Sequence, residues 1–320
     1  MRDLINSPEF HQLTGAVFLE LASNSQVELD RFFTNSTKDP NIILNIFRNE
    51  EIMGWNCRGM HEFMLDLWEV NKQLLPEKKI KVFAVDFPRP FHTPITTKAQ
   101  YQAFFDDLPD RNVCMATIIE DYIQSSSDKR NCLFIVGNGH AYKSQVLFRA
   151  RFLQTGRSAG SLLLEKLPAT DIFSIFTHSP KIANNGYLYG QLRKGLFDYT
   201  FAEIGNKPVA FNLHGSPFGK EPFDASAEIC FDINAGNFMD NYDAYIFLQP
   251  LNEELNNTPL YELYTDDFIA EIKRRAYFLG YDTENDALWG IFKIKDLTKE
   301  QIIEYLKTPV GHVRWEGIDK

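Results

Sequence analysis

Apolar residues along the chain fall into two alternating patterns. Ala16 to Ala22 (AVFLELA), Ile80 to Phe87 (IKVFAVDF), Cys132 to Val136 (CLFIV), Asp171 to Thr177 (DIFSIFT), Pro208 to Leu213 (PVAFNL) and Asp243 to Leu248 (DAYIFL) are short runs rich in Val, Ile and Phe. Such runs predict strands buried on both faces, and together they predict the core sheet. Between them, Met60, Phe63, Met64, Leu67, Asn71 and Leu74 recur at spacings of three and four, which predicts a helix from about Arg58 to Leu75 that Pro76 ends. Val113 to Gln124 follows the same rule with Asp110 as N-cap. Strand, helix and strand at these spacings imply parallel pairing through crossovers, hence an α/β fold with a largely parallel central sheet.

The last 60 or so residues read as helical. Thr265 caps a helix that opens on Asp266 and Asp267, closes on Lys273, Arg274 and Arg275 and meets Gly280, a charge order that suits the helix dipole. Thr298 and Gln301 form a capping box ahead of Ile302, Tyr305 and Leu306. Asn252 to Pro259 is the most linker-like stretch, so the expected organisation is an α/β core over 1–251 and a helical C-terminal subdomain over 252–320 packed on it.

Composition narrows the function. The 320 residues are 44% hydrophobic and 24% charged, as in an ordinary globular protein. With 33 Lys and Arg against 43 Asp and Glu, the net charge of −10 and the scattered cations speak against a nucleic-acid or anionic-membrane surface. No apolar run approaches the roughly 18 residues of a membrane span, and residues 1–10 do not read as a signal peptide, so the expected compartment is the cytoplasm. Cys57, Cys114, Cys132 and Cys230 are far apart, which predicts reduced and mostly buried thiols rather than a disulfide or zinc scaffold. Seven dispersed histidines without H-x-x-x-H or H-x-H spacing give no support for a metal, and no phosphate-loop motif occurs.

In open α/β sheets ligands bind beyond the carboxyl ends of the strands. Those ends carry Glu20, then Asp86 with Arg89 and His92, then Asn138, His140 and Lys143, then His178, then His214 with Ser216. Glu20 interrupts an apolar run where an unpaired carboxylate is costly, so it demands a partner. Gly137 and Gly139 in FIVGNGHAYKS let backbone approach a ligand while Asn138 and His140 project at the rim. Gly156 to Gly160 (GRSAG) matches the nucleophile elbow G-x-S-x-G, but the preceding VLFRARFL carries two arginines, and Ser158 reads more simply as the N-cap of a helix over Leu162 to Leu167.

Taken in order, Arg2 to Phe10 (RDLINSPEF), Val17 to Phe33 (VFLELASNSQVELDRFF), Asp66 to Asp86 (DLWEVNKQLLPEKKIKVFAVD), Arg111 to Ile123 (RNVCMATIIEDYI), Val136 to Lys143 (VGNGHAYK) and Tyr242 to Pro250 (YDAYIFLQP) resemble the erythromycin esterase-like proteins and their haem-binding and Tiki-type relatives. The resemblance implies a three-layer α/β/α fold with its site above the sheet. It implies that Glu20 is the acid closing a core strand, Asp86 the acid after the next strand, and His140 the second histidine of an H-N-x-H motif. Two departures stand against it. The family's G-E-x-x-H-G motif would precede Arg2, and Gly137 stands where the first histidine of H-N-x-H would be.

Two functional expectations follow. The first is an esterase-like hydrolase, or a degenerate member of that family, that activates water without a metal. Its catalytic set would be Glu20, His140, Asp86 and His214, with Asn24, Arg89, Asn138, Lys143 and His178 binding the substrate, and Glu20 or a histidine serving as base. The second is a non-catalytic binder of a small ligand, haem included, with His140, His178 or His214 as axial ligand between Phe and Tyr walls. The expected partners are a small molecule and a second copy of the chain, since the edge beside Ala16 to Ala22 must be covered by the chain itself or by another. Ala16 to Ala22 and Cys132 to Val136 are expected to be neighbouring parallel strands that bring Glu20 and His140 to a common cleft.

Overall fold

The computed structural model describes residues 2–50, 55–144, 157–183, 188–224, 236–253, 259–288 and 291–307. It is an α/β protein with helices around a largely parallel central sheet, in keeping with a three-layer α/β/α arrangement. The chain divides into two compact units. Unit 1 takes Met1–Pro109, Ser126–Ile135 and Asn257–Lys307, and unit 2 takes Asp110–Ser125 and Val136–Asn256.

In unit 1, β1 (Thr14–Ala22) lies between β2 (Lys81–Asp86) and β3 (Asn131–Ile135), and both pairings are parallel. The most apolar run takes the centre, with Ala16, Val17, Phe18 and Leu19 all without solvent exposure. β1 and β3 are thus adjacent and parallel as expected. Both edges of β1 are covered by the chain's own strands. β3 differs from expectation: Cys132 is exposed and Leu133 to Ile135 are only half-buried, whereas β2 at the other edge is largely buried. Nor are the thiols buried as expected, since Cys57 and Cys114 are half-buried too, while Cys230 falls outside the described residues. On the outward side of β2, the Gln26 carboxamide donates to Val82 O (3.0 Å) and accepts from Ala84 N (2.8 Å).

The predicted helix runs over Arg58–Gln73 and buries Met60, Phe63, Met64 and Leu67. Asn71, the one polar member of that stripe, accepts from Ile80 N and donates to Ile80 O, both at 2.8 Å. This pair ties the helix end to the start of β2.

In unit 2, β4 (Ile175–Thr177) is followed by the antiparallel ribbon of β5 (Lys181–Ala183) and β6 (Leu188–Gly190), then by β7 (Val209–Asn212) and β8 (Ala244–Phe247). β8 lies between β4 and β7, parallel to β4 and antiparallel to β7. The six predicted strands therefore form two sheets of three rather than one sheet of six. Apolar runs report burial on both faces but not which strands exchange hydrogen bonds. Around this sheet the Phe and Tyr rings pack on one another, with Phe201 to Phe247 at 4.0 Å and Phe197 to Phe218 at 4.7 Å between centroids.

The C-terminal segment of unit 1 carries the two predicted helices, Asp266–Phe278 capped by Thr265 and Lys299–Leu306 opened by the Thr298–Gln301 capping box. A short hairpin, β9 (Ala287–Leu288) and β10 (Phe292–Lys293), separates them. Phe268, Ile272 and Ile302 join Val17 and Leu19 in one apolar cluster.

Removing the Asn71 amide leaves the Ile80 N–H and C=O unmet in a buried setting, at about 1–3 kcal/mol for each group. Asn71→Ala is expected to lower stability by about 2–4 kcal/mol in chemical denaturation. A loss below about 1 kcal/mol would show that this tie does not hold the helix to the strand.

Candidate functional site

The carboxyl ends of β1 and β2 in unit 1 carry a buried polar cluster. Asp86 is fully buried; it accepts from Phe87 N (2.8 Å) and pairs with Arg89 Nη2 (2.8 Å). The Arg89 guanidinium also lies 3.7 Å from Glu50 Oε2 and 4.2 Å from the Phe87 ring centroid. Asn24 and the Arg89 backbone exchange two hydrogen bonds, of 2.9 and 3.1 Å, which fix the turn after β1 to the turn after β2. Three of the predicted residues, Asp86, Arg89 and Asn24, are thus brought together, and they hold one another.

Glu50 stands at the C-terminal end of the helix Pro40–Asn49 and escaped the sequence reading, because an acid in the run RNEE looks like solvated surface. Its Oε1 accepts from Ala22 N (2.9 Å) and from Ser25 Oγ (3.4 Å), while its backbone O accepts from Arg275 (2.9 Å). Burial pushes the Glu50 carboxyl up to about 7, against the opposing pull of Arg89. Ser25 Oγ also meets His92 Nε2 at 3.1 Å, and burial lowers the pKa of His92. Glu20, half-buried on β1, accepts from the Trp55 indole N–H at 3.1 Å, which supplies the partner its position demands.

In unit 2 the direction of β7 separates residues that the sequence placed at one strand end. His178 follows β4 at the carboxyl end of the parallel pair. His214 follows β7, which runs the other way, so it sits at the amino end of β4 and β8. There Asp243 accepts from Lys143 Nζ (2.5 Å) and Ser174 N (2.7 Å) and lies 3.5 Å from His214 Nε2. Four residues of strand, roughly 13 Å, lie between the two histidines' ends of the sheet. His214 is mostly exposed.

Asn138 belongs to the carboxyl end. Its Nδ2 donates to Ser179 Oγ (2.8 Å), and its backbone O accepts from Tyr242 Oη (2.7 Å). His178 is 2% exposed, with Nδ1 against Tyr245 Oη at 2.5 Å and Nε2 against Asp198 at 3.3 Å. With both nitrogens engaged and its ring among Phe201, Tyr245 and Phe247, His178 does not fit the role of axial haem ligand. The Phe and Tyr rings expected to wall such a cofactor fill the core with each other. Among the described residues no cluster of three or more His, Cys, Asp or Glu is arranged to hold a metal.

His140 is half-buried in the short helix Asn138–Ala141, and its Nδ1 lies 2.6 Å from Asn112 Oδ1. Asn112 is fully buried in the first turn of the helix Arg111–Ser125, where Asp110 accepts from its N–H at 2.9 Å, as the N-cap reading requires. The same Oδ1 accepts from Ala159 N at 3.0 Å, at the start of the helix Ala159–Lys166. Ser158 caps that helix: its Oγ accepts from Ser161 N (2.9 Å) and donates to Tyr142 O. Ser158 has no solvent exposure, so the capping reading holds and the hydroxyl is closed to an acylating reagent. Gly156, the first glycine of the GRSAG run, and the VLFRARFL run lie outside the described residues. Gly160 is required by packing, since a Cβ there would stand 2.7 Å from Ala141 O. Glu20 belongs to unit 1 and His140 to unit 2.

No family model and no curated protein matches the chain. Among solved structures, it is similar to a mutant of the erythromycin esterase EreC in its open conformation, at 12% identity and TM-score 0.47 over 78% of this chain and 85% of that one. It is also similar to a protein from Bacillus cereus, at 12% identity and TM-score 0.44 over 75% of this chain and 81% of that one. No helix among the described residues is long and apolar enough to cross a membrane.

Two outcomes test these assignments. A carboxyl raised from 4.5 to about 7 by folding keeps a proton that the unfolded chain releases, so its contribution is complete below pH 4.5 and falls away as pH rises through 7. Relative to Glu50→Gln, which keeps an acceptor for Ala22 N, the wild type should lose about 2–3 kcal/mol between pH 4.5 and 7.5 in denaturation curves. Parallel curves for the two proteins would place the Glu50 titration elsewhere. Ser158→Ala should cost about 1–2 kcal/mol, and a fluorophosphonate probe should leave Ser158 unlabelled.

Proposed function

We propose that the chain is a hydrolase of ester bonds in a small polar molecule, working by metal-independent activation of water, with His140 as the proton acceptor. The observation that carries this reading is the Asn112–His140 hydrogen bond: a half-buried histidine in the short helix Asn138–Ala141 is oriented by a fully buried amide at 2.6 Å. His178 and His214 are less suited, His178 because it is sealed in the core against Phe247 and His214 because it stands exposed at the opposite end of its sheet.

The chemistry this permits is simple. His140 Nε2 takes a proton from water as the oxygen adds to the ester carbonyl. The tetrahedral oxyanion collapses, the C–O bond to the alcohol breaks, and the imidazolium returns its proton to the departing alkoxide. Asp86 and Arg89 maintain the strand ends of unit 1 in this account, since both are buried in mutual contact.

Hydrolysis of p-nitrophenyl esters of short acids, measured without added haem or metal, tests the proposal. The wild type should turn over, and His140→Ala should lower kcat by about 100-fold or more, while His214→Ala leaves it within about twofold. Equal rates in wild type and His140→Ala would overturn it. A Soret band on haem titration that is lost in His140→Ala, in a protein without esterase activity, would replace it with the ligand-binding alternative.

A further inference from the structure

Hydrogen-bond directions around Asn112 determine which nitrogen of His140 carries the proton. The two ends of a carboxamide are alike in shape, and only their partners distinguish them. Here the partner is decisive, because the group 3.0 Å from Asn112 Oδ1 is the backbone N–H of Ala159, which can only donate. The atom it meets must be the oxygen. Turning the amide over would set its NH2 against the Ala159 N–H, donor against donor, and leave that backbone N–H unmet in a fully buried place.

The oxygen so fixed can only accept, and it also faces His140 Nδ1 at 2.6 Å. A neutral imidazole has one N–H, and the nitrogen that meets an acceptor must hold it. We infer that Asn112 is a positioning residue that holds His140 in the Nδ1–H tautomer and so makes Nε2 the nitrogen that accepts a proton.

Three features keep this arrangement rigid. Asp110 fixes the first turn that carries Asn112, through its N–H and that of Val113. Ser158 fixes the helix start that presents Ala159 N, and Gly160 lets that helix approach the Ala141 and Tyr142 carbonyls more closely than a side chain would allow. Asn112 Nδ2 is buried with no partner among the described residues, so the amide is held by its oxygen alone. A pair of side chains serving stability only would gain by satisfying that donor.

The inference rests on His140 being the base, but its test is independent of turnover. In nitrogen-15 NMR above the titration range, with His140→Ala providing the assignment, wild-type His140 should show the N–H on Nδ1. Asn112→Asp, which keeps an acceptor for both donors, should preserve that tautomer. Asn112→Ala should move the population to Nε2–H, the form ordinarily favoured in water, and lower kcat about 10- to 100-fold with KM little changed. A wild-type N–H on Nε2, or a tautomer indifferent to Asn112→Ala, would overturn the inference even if the esterase reading held. The Nδ1–H form in a protein without turnover would sustain the inference and sink the esterase reading. If Asn112→Ala fails to fold, the wild type and Asn112→Asp decide the matter.

Discussion

Backbone hydrogen bonds fix the direction of each strand, and direction decides which side chains can meet. Because β1 and β2 run parallel, the residues after them leave the sheet on one side. Asn24, Asp86 and Arg89 therefore form a single hydrogen-bonded group, joined by Glu50. Because β7 opposes β8, His214 and Lys143 gather around Asp243 at one end of their sheet, while His178 and Asn138 stand at the other. One antiparallel strand in a largely parallel fold thus divides a set of residues that looks continuous in the sequence.

The second determinant is how each unit meets the demand of buried charge. In unit 1, two carboxylates share one guanidinium, and the balance is uneven: Asp86 has the short contact with Arg89, while Glu50 lies farther from it and has its pKa raised. In unit 2 the imidazoles meet different groups, an amide for His140 and a phenol together with the Asp198 carboxylate for His178.

Much of the architecture was legible because periodicity and capping are local. The Arg58–Gln73 stripe, the Asp110, Thr265 and Thr298 caps and the capping role of Ser158 all follow from neighbours within a few residues. The split into two sheets was not legible, since an apolar strand such as Asp243 to Leu248 reads the same whether its neighbours are parallel or antiparallel. The site residues that sequence reading missed fail for a related reason. Glu50, Asn112 and Asp243 acquire meaning only from partners 25 to 225 residues away in the chain. The helical stripe begins at Val113, and nothing local named His140 and Ala159 as partners of Asn112.

Gln26 has a further effect on how unit 1 meets other chains. Its carboxamide occupies Val82 O and Ala84 N, two of the outward groups that an arriving strand would need in order to extend the sheet beyond β2. It imitates one residue's worth of a neighbouring strand. An edge that would otherwise serve as a template for strand addition is blocked by a side chain from its own unit. A second copy of the chain would have to expel that amide before pairing there, so any dimer is directed to other surfaces.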